Sequence, residues 1–266
     1  MADGGLAFDW KRACPHANDA SLSQMTSTRK TVIVTGGSQG IGAGLVKTFL
    51  GRGYNVVANA LEITTSKAFE ASDQLALVDG SIAEAATAAK IAEAAKNKFK
   101  SIDARVNNAG IYVAKPFTDY TVDDLRALVS VNLEGFLLIT QMAVKQMLAQ
   151  NTGGSIVNIT AAQVNHPIEG INSSVAMMIK GGLEAVVRSL AMEYARQGVR
   201  ANAVAPGVVD TPMHEGQSKD FLKTRQPMGQ ISGVKDVVDA IVYLTEAGQV
   251  TGEVLHVDGG AHVGKW

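Results

Sequence analysis

Seven short apolar runs alternate with segments of helical periodicity from Lys30 onward, and this alternation restricts the possible folds more than any other feature. The runs cover 30–37, 54–60, 74–80, 104–110, 154–160, 199–207 and 253–260. Strands that are apolar throughout and separated by helices are typical of parallel sheets, because each crossover helix packs on one face of the sheet. The sequence therefore predicts one α/β domain over 30–266, a doubly wound, Rossmann-type fold with a seven-stranded parallel sheet.

The helical segments between the runs have recognisable beginnings and ends. Thr121 precedes two acidic residues, which is the pattern of an N-cap and a first turn. The predicted helices cover 41–53, 82–100, 121–148, 173–197 and 234–246. The first 24 residues show neither strand nor helix periodicity and lack the apolar stretch of a signal peptide. We therefore expect 1–29 to be a flexible N-terminal extension, with a true translation start at Met25 as the alternative.

Charge and cysteine content exclude several classes of partner. The formal net charge is −1, so no electrostatic attraction to nucleic acid or to an anionic membrane is expected. The single cysteine, Cys14, excludes an internal disulfide and most cysteine-built metal sites. No run approaches the roughly 18 apolar residues of a membrane span. The expectation is a cytoplasmic protein with no bound metal.

A glycine-rich turn, TGGSQGIG at 35–42, follows the first strand and opens the first helix. Gly36, Gly40 and Gly42 lack a Cβ, so backbone N–H groups can approach a diphosphate at the positive end of the helix. The strand before and the helix after the turn favour a dinucleotide site. The alternative is a glycine turn that only packs the helix on the strand.

Further motifs follow the turn in a recognisable order: Asp79 after the third strand, NNAG at 107–110, Asn132 in SVNLEG, Lys180, and PGVVDT at 206–211. With the GxxxGxG spacing of the turn, they resemble the classical short-chain dehydrogenase/reductase family over 30–260. The resemblance implies a nicotinamide dinucleotide cofactor and hydride transfer to or from a carbonyl or alcohol. It also implies assembly as a homo-oligomer, a dimer or tetramer, through the helices at 121–148 and 173–197 and the C-terminal segment.

The resemblance also assigns roles to individual positions in the cofactor site. Asp79 would accept a hydrogen bond from the adenine amino group, or would only cap the next helix. Lys180 would bind the nicotinamide ribose. The remaining positions are Ser38, Gln39 and Ile41 in the phosphate turn, the backbone of Asn108, Ala109 and Gly110 near the adenosine ribose, and Pro206, Gly207, Val209 and Thr211 at the nicotinamide carboxamide.

The choice between NADP and NAD depends on the end of the second strand. An acidic residue there binds the ribose 2′-hydroxyl and selects NAD. Ala60 holds that position, which favours NADP. No arginine stands nearby to hold a 2′-phosphate, Gln39 occupies a position where a basic residue would help, and Glu62 could reach back. The sequence thus predicts NADP or NAD, with NADP favoured.

The catalytic positions of the family are only half present. Asn132 and Lys180 match the family's asparagine and lysine, although an amide bonded within its own helix and an ordinary surface lysine are the respective alternatives. Ala176 stands four residues before Lys180, where the family has its tyrosine. The serine position falls on Ala161 or Gln163, with Thr160 as the nearest hydroxyl. The chain therefore resembles a divergent member that lacks the active-site tyrosine.

Other proton donors are open. Ser173 shares a helix stripe with Ala176, Met177 and Lys180 but lies about 10 Å from Lys180 along the axis. His166 has suitable chemistry in a loop that should border the pocket. A water held by Asn132 and Lys180, or an acidic group on the substrate, could also serve.

Two functions fit this pattern. The first is an NAD(P)-dependent oxidoreductase that acts on a small-molecule carbonyl or alcohol with a non-standard proton donor. The second is a catalytically silent nucleotide-binding sensor or scaffold, and a dehydratase or epimerase on the same scaffold is a third. The predicted lid, 212–230, indicates a partly apolar pocket lined by Met213, His214, Phe221, Leu222 and Met228.

Overall fold

The computed structural model describes residues 29–264. Apart from Arg29, the predicted N-terminal extension lies outside the described residues. Seven parallel strands form one sheet in the order β3-β2-β1-β4-β5-β6-β7, which confirms the doubly wound α/β fold and the number of strands. The strands are Thr31–Thr35 (β1), Asn55–Ala60 (β2), Leu75–Asp79 (β3), Ala104–Asn107 (β4), Gly154–Ile159 (β5), Val199–Pro206 (β6) and Val254–Val257 (β7).

Seven α-helices accompany the sheet in the described range. They are Gly40–Gly51 (α1), Ala85–Ala94 (α2), Val122–Val129 (α3), Gly135–Gln150 (α4), Ser174–Tyr194 (α5), Lys219–Lys223 (α6) and Val234–Glu246 (α7). Thr121 is the N-cap of α3 as predicted: its hydroxyl accepts the Asp124 N–H at 3.1 Å.

Two predicted helices differ from the observed ones. The helix expected from Ile82 begins at Ala85 and ends in a π-helical turn, Ala95–Phe99. The helix expected over 121–148 is divided into α3 and α4 by a π-helical segment, Ser130–Glu134. An apolar repeat does not distinguish 3.6 residues per turn from a locally wider turn, so the sequence could not show either segment.

Both faces of the sheet are covered by helices, as the apolar strands require. Helices α1 and α7 pack on one face through Phe49 and Ile241. Helices α2, α4 and α5 pack on the other face through Ile91, Ile139 and Val187. Alternate residues of each strand therefore enter two separate cores, and no strand residue of β1 is left exposed.

The strand order reverses beside β1, which pairs with β2 on one side and with β4 on the other. The chain after β1 and the chain after β4 therefore leave the sheet in different directions and open a crevice between the carboxyl ends of these strands. Ligands of doubly wound sheets bind at this switch point. The glycine turn follows β1 and the NNAG segment completes β4, so both predicted motifs lie at this crevice.

A buried polar cluster interrupts the core beneath α4. Arg105 of β4 is fully buried, and its Nη2 atom lies 3.3 Å from the Asn107 side-chain oxygen. Its Nε and Nη1 atoms, both polar side-chain atoms of Asn158 and the Thr140 hydroxyl have no hydrogen-bond partner in the described residues. The guanidinium lies 5.4 Å from the Phe136 ring centroid, and burial lowers its pKa to about 9.

One helical stretch passes the length and hydropathy test for a membrane span, contrary to the expectation from the sequence. Val122–Gln150 has a mean hydropathy of 1.6, and 44% of its most apolar window is buried. Its residues Ile139, Ala143 and Met147 belong to the core against the sheet. Packing inside an α/β domain accounts for this composition.

Candidate cofactor and substrate site

The glycine turn has a backbone that only glycine accommodates. Gly36 and Gly40 have φ angles of +68° and +53°. A Cβ on Gly42 would lie 1.9 Å from the Gly36 carbonyl oxygen, closer than any real contact. Gln39, the N-cap of α1, makes no side-chain cap bond, and the first turn contains no acidic residue. The N–H groups of that turn thus remain available to a diphosphate, so the residues present fit a dinucleotide.

Asn108 braces this turn from β4. Its side-chain amide donates to the carbonyl oxygens of Thr35 at 2.9 Å and Gly36 at 3.0 Å. In return, the Thr35 hydroxyl accepts the N–H groups of Asn108 and Ala109 at 3.2 and 3.1 Å. The sequence predicted only a backbone approach here, whereas the structure also gives the Asn108 side chain a structural role in fixing the turn.

Asn132 connects the π-helical segment to the loop after β4. Its amide nitrogen donates to the Ile111 carbonyl at 3.1 Å, and its side-chain oxygen accepts the Ile111 N–H at 3.2 Å. The alternative of a bond within its own helix is therefore wrong. A Cβ on Gly110 would lie 2.5 Å from the Asn132 oxygen and 3.8 Å from Lys180 Nζ, so the structure brings these three positions together.

Lys180 lies at the wall of the cavity rather than on the outer surface, so the surface-lysine alternative is wrong. Its Nζ atom donates to the Ile159 carbonyl at 2.8 Å. No carboxylate of the described residues pairs with it, and burial lowers the pKa of its ammonium to about 8. The amine is consequently able to gain and lose a proton near neutral pH.

Ala176 itself is buried, with 3% of its surface exposed, and does not line the cavity; Met177 and Lys180 do. The hydroxyls considered as substitutes, that of Thr160 for the serine and that of Ser173 for the tyrosine, are engaged. Thr160 donates to the Val204 carbonyl at 3.3 Å, and Ser173 donates to the Gln163 side chain at 3.2 Å.

His166 reaches the cavity, as expected for its loop. Its ring lies edge-on to His262, with 6.0 Å between ring centroids.

The cavity has a volume of about 640 Å³ and extends from the glycine turn to the lid. The predicted site residues that line it are Ile41, Asn108, Gly110, Lys180, Pro206, Gly207, Val209 and Thr211. Of the predicted lid residues, Met213, His214, Phe221 and Leu222 line it, but Met228 does not. The Met228 N–H is bound to the Gly259 carbonyl at 3.2 Å, and the side chain is 69% exposed. That prediction was wrong because the chain turns toward the C-terminal segment before residue 228.

The predicted cofactor residues Gly36, Ser38, Gln39, Gly40, Gly42, Asp79 and Ala109, and the predicted catalytic residue Asn132, do not line the cavity. Asp79 ends β3, and its carboxylate accepts the Thr64 N–H at 2.9 Å and the Thr64 hydroxyl. The N-cap of α2 is Glu84, so the helix-capping alternative for Asp79 is wrong. Its contact with adenine stays a prediction.

The segment after β6 closes the site over the glycine turn. Gly207 donates to the Val257 carbonyl at 3.0 Å, which anchors the segment to β7. The Thr211 Cβ lies 3.5 Å from the position that a Cβ on Gly40 would occupy. The two motifs that the sequence separates by about 170 residues are thus adjacent.

Sequence reasoning missed several side chains that the structure places in the cavity wall. They are Tyr112, Lys115, Gln217 and Arg225. Burial raises the pKa of the Tyr112 phenol, which faces the Ser173 hydroxyl. Lys115 pairs with Asp124 at 2.7 Å. All of them come from irregular segments, where no periodicity indicates the direction of a side chain.

A glycine turn at the switch point of a doubly wound sheet, beside a cavity lined by a partly buried lysine, defines a dinucleotide-binding α/β protein. Residues 36–262 match a family model described as enoyl-(acyl carrier protein) reductase. The chain belongs to the short-chain dehydrogenase/reductase family of NAD(P)-dependent oxidoreductases.

Curated relatives cover most of the chain. The chain is 32% identical to 3beta-hydroxysteroid dehydrogenase 1 of Eggerthella lenta, covering 87% of this chain and 93% of the relative. It is 34% identical to carbonyl reductase family member 4 of Xenopus tropicalis, covering 87% and 97%.

Two similar solved structures hold nicotinamide cofactors. ElxO with NADP bound superposes with a TM-score of 0.81 at 25% identity, covering 89% of this chain and 100% of that one. The 3-ketoacyl-(acyl-carrier-protein) reductase from Brucella melitensis complexed with NADH superposes with a TM-score of 0.79 at 27% identity, covering 88% and 98%. Similar structures therefore bind either cofactor.

Proposed function

We propose that this chain interconverts a carbonyl and an alcohol with an NAD(P) cofactor, and that Lys180 rather than a tyrosine holds the transferred proton. The observation that supports this most directly is the position of the Lys180 amine. It lies in the cavity wall, bound to the Ile159 carbonyl, with no carboxylate of the described residues to keep it charged. Asn132 and Gly110 stand beside it.

When bound, a nicotinamide dinucleotide supplies or accepts the hydride, that is, the hydrogen and the two electrons exchanged with the substrate carbon. The glycine turn and the N-terminus of α1 would hold its diphosphate, and Pro206–Thr211 would border its nicotinamide. In the reductive direction the Lys180 ammonium gives a proton to the substrate oxygen, directly or through one water, and becomes a neutral amine. In the oxidative direction the neutral amine takes that proton from the hydroxyl.

The pH dependence of activity follows from the lowered pKa of Lys180. Reduction needs the ammonium form, so we expect the rate of hydride transfer to fall as pH rises through about 8. Oxidation needs the neutral amine, so its rate should fall as pH drops through the same range. Single-turnover kinetics from about pH 6 to about pH 10 would measure the rates of reduction and oxidation. The reaction is followed through nicotinamide absorbance.

Replacing Lys180 with methionine should lower both rates by about 10²–10⁴-fold, the usual contribution of a positioned acid or base. Lys96→Met, an exposed lysine in the π-helical turn after α2, serves as the matched control and should keep both pH profiles. If the pH–rate profile of Lys180→Met has the same midpoint as that of the unchanged chain, the proton comes from another group, and His166 is the next candidate.

The cofactor proposed is NADP in preference to NAD. Ala60 ends β2 and is followed by the exposed Leu61. Because neither residue is acidic, no carboxylate at these positions repels a ribose 2′-phosphate. We expect calorimetric titration to give a lower dissociation constant for NADPH than for NADH. A lower dissociation constant for NADH would instead assign the ribose hydroxyls to Glu62, the nearest acidic residue along the chain.

Two observations favour the alternative function, a catalytically silent nucleotide-binding sensor or scaffold. Ala176 is buried, and the Thr160 hydroxyl is bonded to the Val204 carbonyl. The same experiments separate the two functions. Tight cofactor binding without turnover of any compound in a broad carbonyl and alcohol panel would support a sensor or scaffold. Turnover with the pH dependence described above would support the oxidoreductase.

Assembly and location belong to the same proposal. We propose a cytoplasmic homo-oligomer, a dimer or tetramer built through α4 and α5. Exposed apolar side chains on these helices support an interface there: Leu137 on α4, and Met178 and Met192 on α5. Light scattering at micromolar concentration would give the mass of the assembly.

A further inference from the structure

The cavity wall contains basic side chains but no carboxylate among the described residues. Five lining residues are basic, namely Lys115, His166, Lys180, His214 and Arg225, and no Asp or Glu stands among the described residues that line it. The whole chain has 24 Lys and Arg against 25 Asp and Glu, so composition does not explain this bias. A concave wall with basic groups and no carboxylate favours a ligand group of negative charge.

Two of the five basic groups are already engaged. Lys115 is paired with Asp124 at 2.7 Å, and Lys180 serves the proton transfer proposed above. The remaining three, His166, His214 and Arg225, come from the loop after β5 and from the lid. The basic side chains that have neither a paired carboxylate nor a proposed catalytic role therefore come from these two segments, two of the three from the lid.

Arg225 is held in a fixed orientation without a carboxylate partner. Its guanidinium lies over the Phe221 ring, 4.6 Å from the centroid, and its Nη1 atom donates to the Glu169 carbonyl at 3.0 Å. No ion pair to Arg225 forms within residues 29–264. A guanidinium fixed by stacking on one face and by a backbone carbonyl at one corner keeps other N–H groups for a planar anion, and carboxylates suit that geometry.

His214 stands in the same lid with an unsatisfied ring. Its backbone N–H donates to the Thr211 carbonyl at 3.0 Å, which fixes the turn Pro212–His214 beside the nicotinamide segment. The buried Nδ1 atom of the ring has no hydrogen-bond partner in the described part of the chain. A buried polar atom without a partner is costly, and a bound ligand would supply one through a reoriented ring.

The rest of the wall is mainly apolar. Ile168, Ile171, Met177, Met213 and Leu222 line the cavity. A ligand that fills this space therefore needs an apolar body between its reacting carbon and any charged end.

We propose that the substrate is an apolar oxo or hydroxy compound with a carboxylate, which Arg225 and His214 bind at the lid while the reacting oxygen lies at Lys180. This inference rests on the proposed oxidoreductase function, because it extends the same cavity. It restricts the substrates to acids rather than neutral ketones or sugars.

Equilibrium binding tests the proposal without turnover. The probes are 3-phenylpropanoate and 3-phenylpropanamide, which have the same shape and differ in charge, titrated calorimetrically into the full chain with and without NADPH. We expect the carboxylate to bind at least about 10-fold more tightly than the amide, and this preference to weaken with added salt. Arg225→Met and His214→Gln should each reduce the preference, and Arg225→Lys should restore only part of it.

Lys223→Met is the matched control, because Lys223 ends α6 two residues before Arg225, pairs with Asp220 and does not line the cavity. It should keep the full preference, and thermal melting checks that every variant is folded. Equal affinity for the two probes, or Arg225→Met indistinguishable from Lys223→Met, overturns the inference; with NADPH binding intact, either result leaves the oxidoreductase function standing. A carboxylate preference in a chain that binds neither NADPH nor NADH would instead refute the function and support the anion site.

Discussion

Gly42→Ala is expected to abolish dinucleotide binding and to lower the free energy of unfolding by about 3 kcal/mol. The added Cβ would lie 1.9 Å from the Gly36 carbonyl oxygen and 2.6 Å from the Asn108 amide nitrogen. Neither atom can move freely, because the first belongs to the backbone of the turn and the second is bonded to two carbonyl groups of it. The turn must therefore open, and the N–H groups at the start of α1 lose their common direction.

Gly51→Ala provides the matched control for this substitution. Gly51 ends the same helix, and a Cβ there would meet nothing within 4 Å. Alanine at this position should leave cofactor affinity unchanged and stabilise the chain by up to about 1 kcal/mol. Calorimetric titration with NADPH and thermal melting measure both variants. Cofactor affinity of Gly42→Ala equal to that of the unchanged chain would contradict the role assigned to the turn.

Arg105→Met is expected to stabilise the protein by about 2–4 kcal/mol, which corresponds to roughly 5–10 °C in melting temperature for a domain of this size. Arg105 is a fully buried cation without a carboxylate in the described residues, and two of its three nitrogens lack a partner. Methionine has a similar length and carries no charge to desolvate. Arg126→Met, at an exposed arginine of α3, should leave the melting temperature unchanged.

The pH dependence of this difference has a definite sign. Burial lowers the pKa of Arg105 to about 9 in the folded chain, below its ordinary value of 12.5. The folded chain therefore binds fewer protons than the unfolded chain between these values, and the stability of the unchanged protein rises with pH in that window. In urea unfolding, the free-energy difference between Arg105→Met and the unchanged protein should therefore be smaller at about pH 10 than at about pH 7. A variant less stable than the unchanged protein at both values would mean that buried water satisfies the guanidinium.

The sequence was sufficient for the features that depend on local backbone requirements. Apolar runs of the length of a strand predicted the seven strands, and the glycine spacing predicted the turn after β1, because only glycine tolerates the φ angles and contacts found there. The resemblance placed Asn132 and Lys180 in one site, and the structure brings both side chains close to Gly110.

What the sequence could not predict lies in segments without periodicity. Tyr112 and Lys115 follow the NNAG motif in an irregular loop, and Arg225 follows a helix of only five residues. Their contribution to the cavity depends on long-range contacts, such as that between Arg225 and the Glu169 carbonyl, which no local pattern specifies. The buried position of Arg105 was equally unexpected, because an arginine within a strand usually indicates a solvated face.

The anchor of Lys180 is a main-chain carbonyl, that of Ile159. An acceptor of this kind is present whatever amino acid occupies position 159, so point mutation cannot delete it. The ammonium is accordingly positioned without help from residue 176. An ancestral chain could therefore exchange tyrosine for alanine at position 176 and keep the lysine amine in place. The active site could diverge in this way without passing through a form in which the lysine is misplaced.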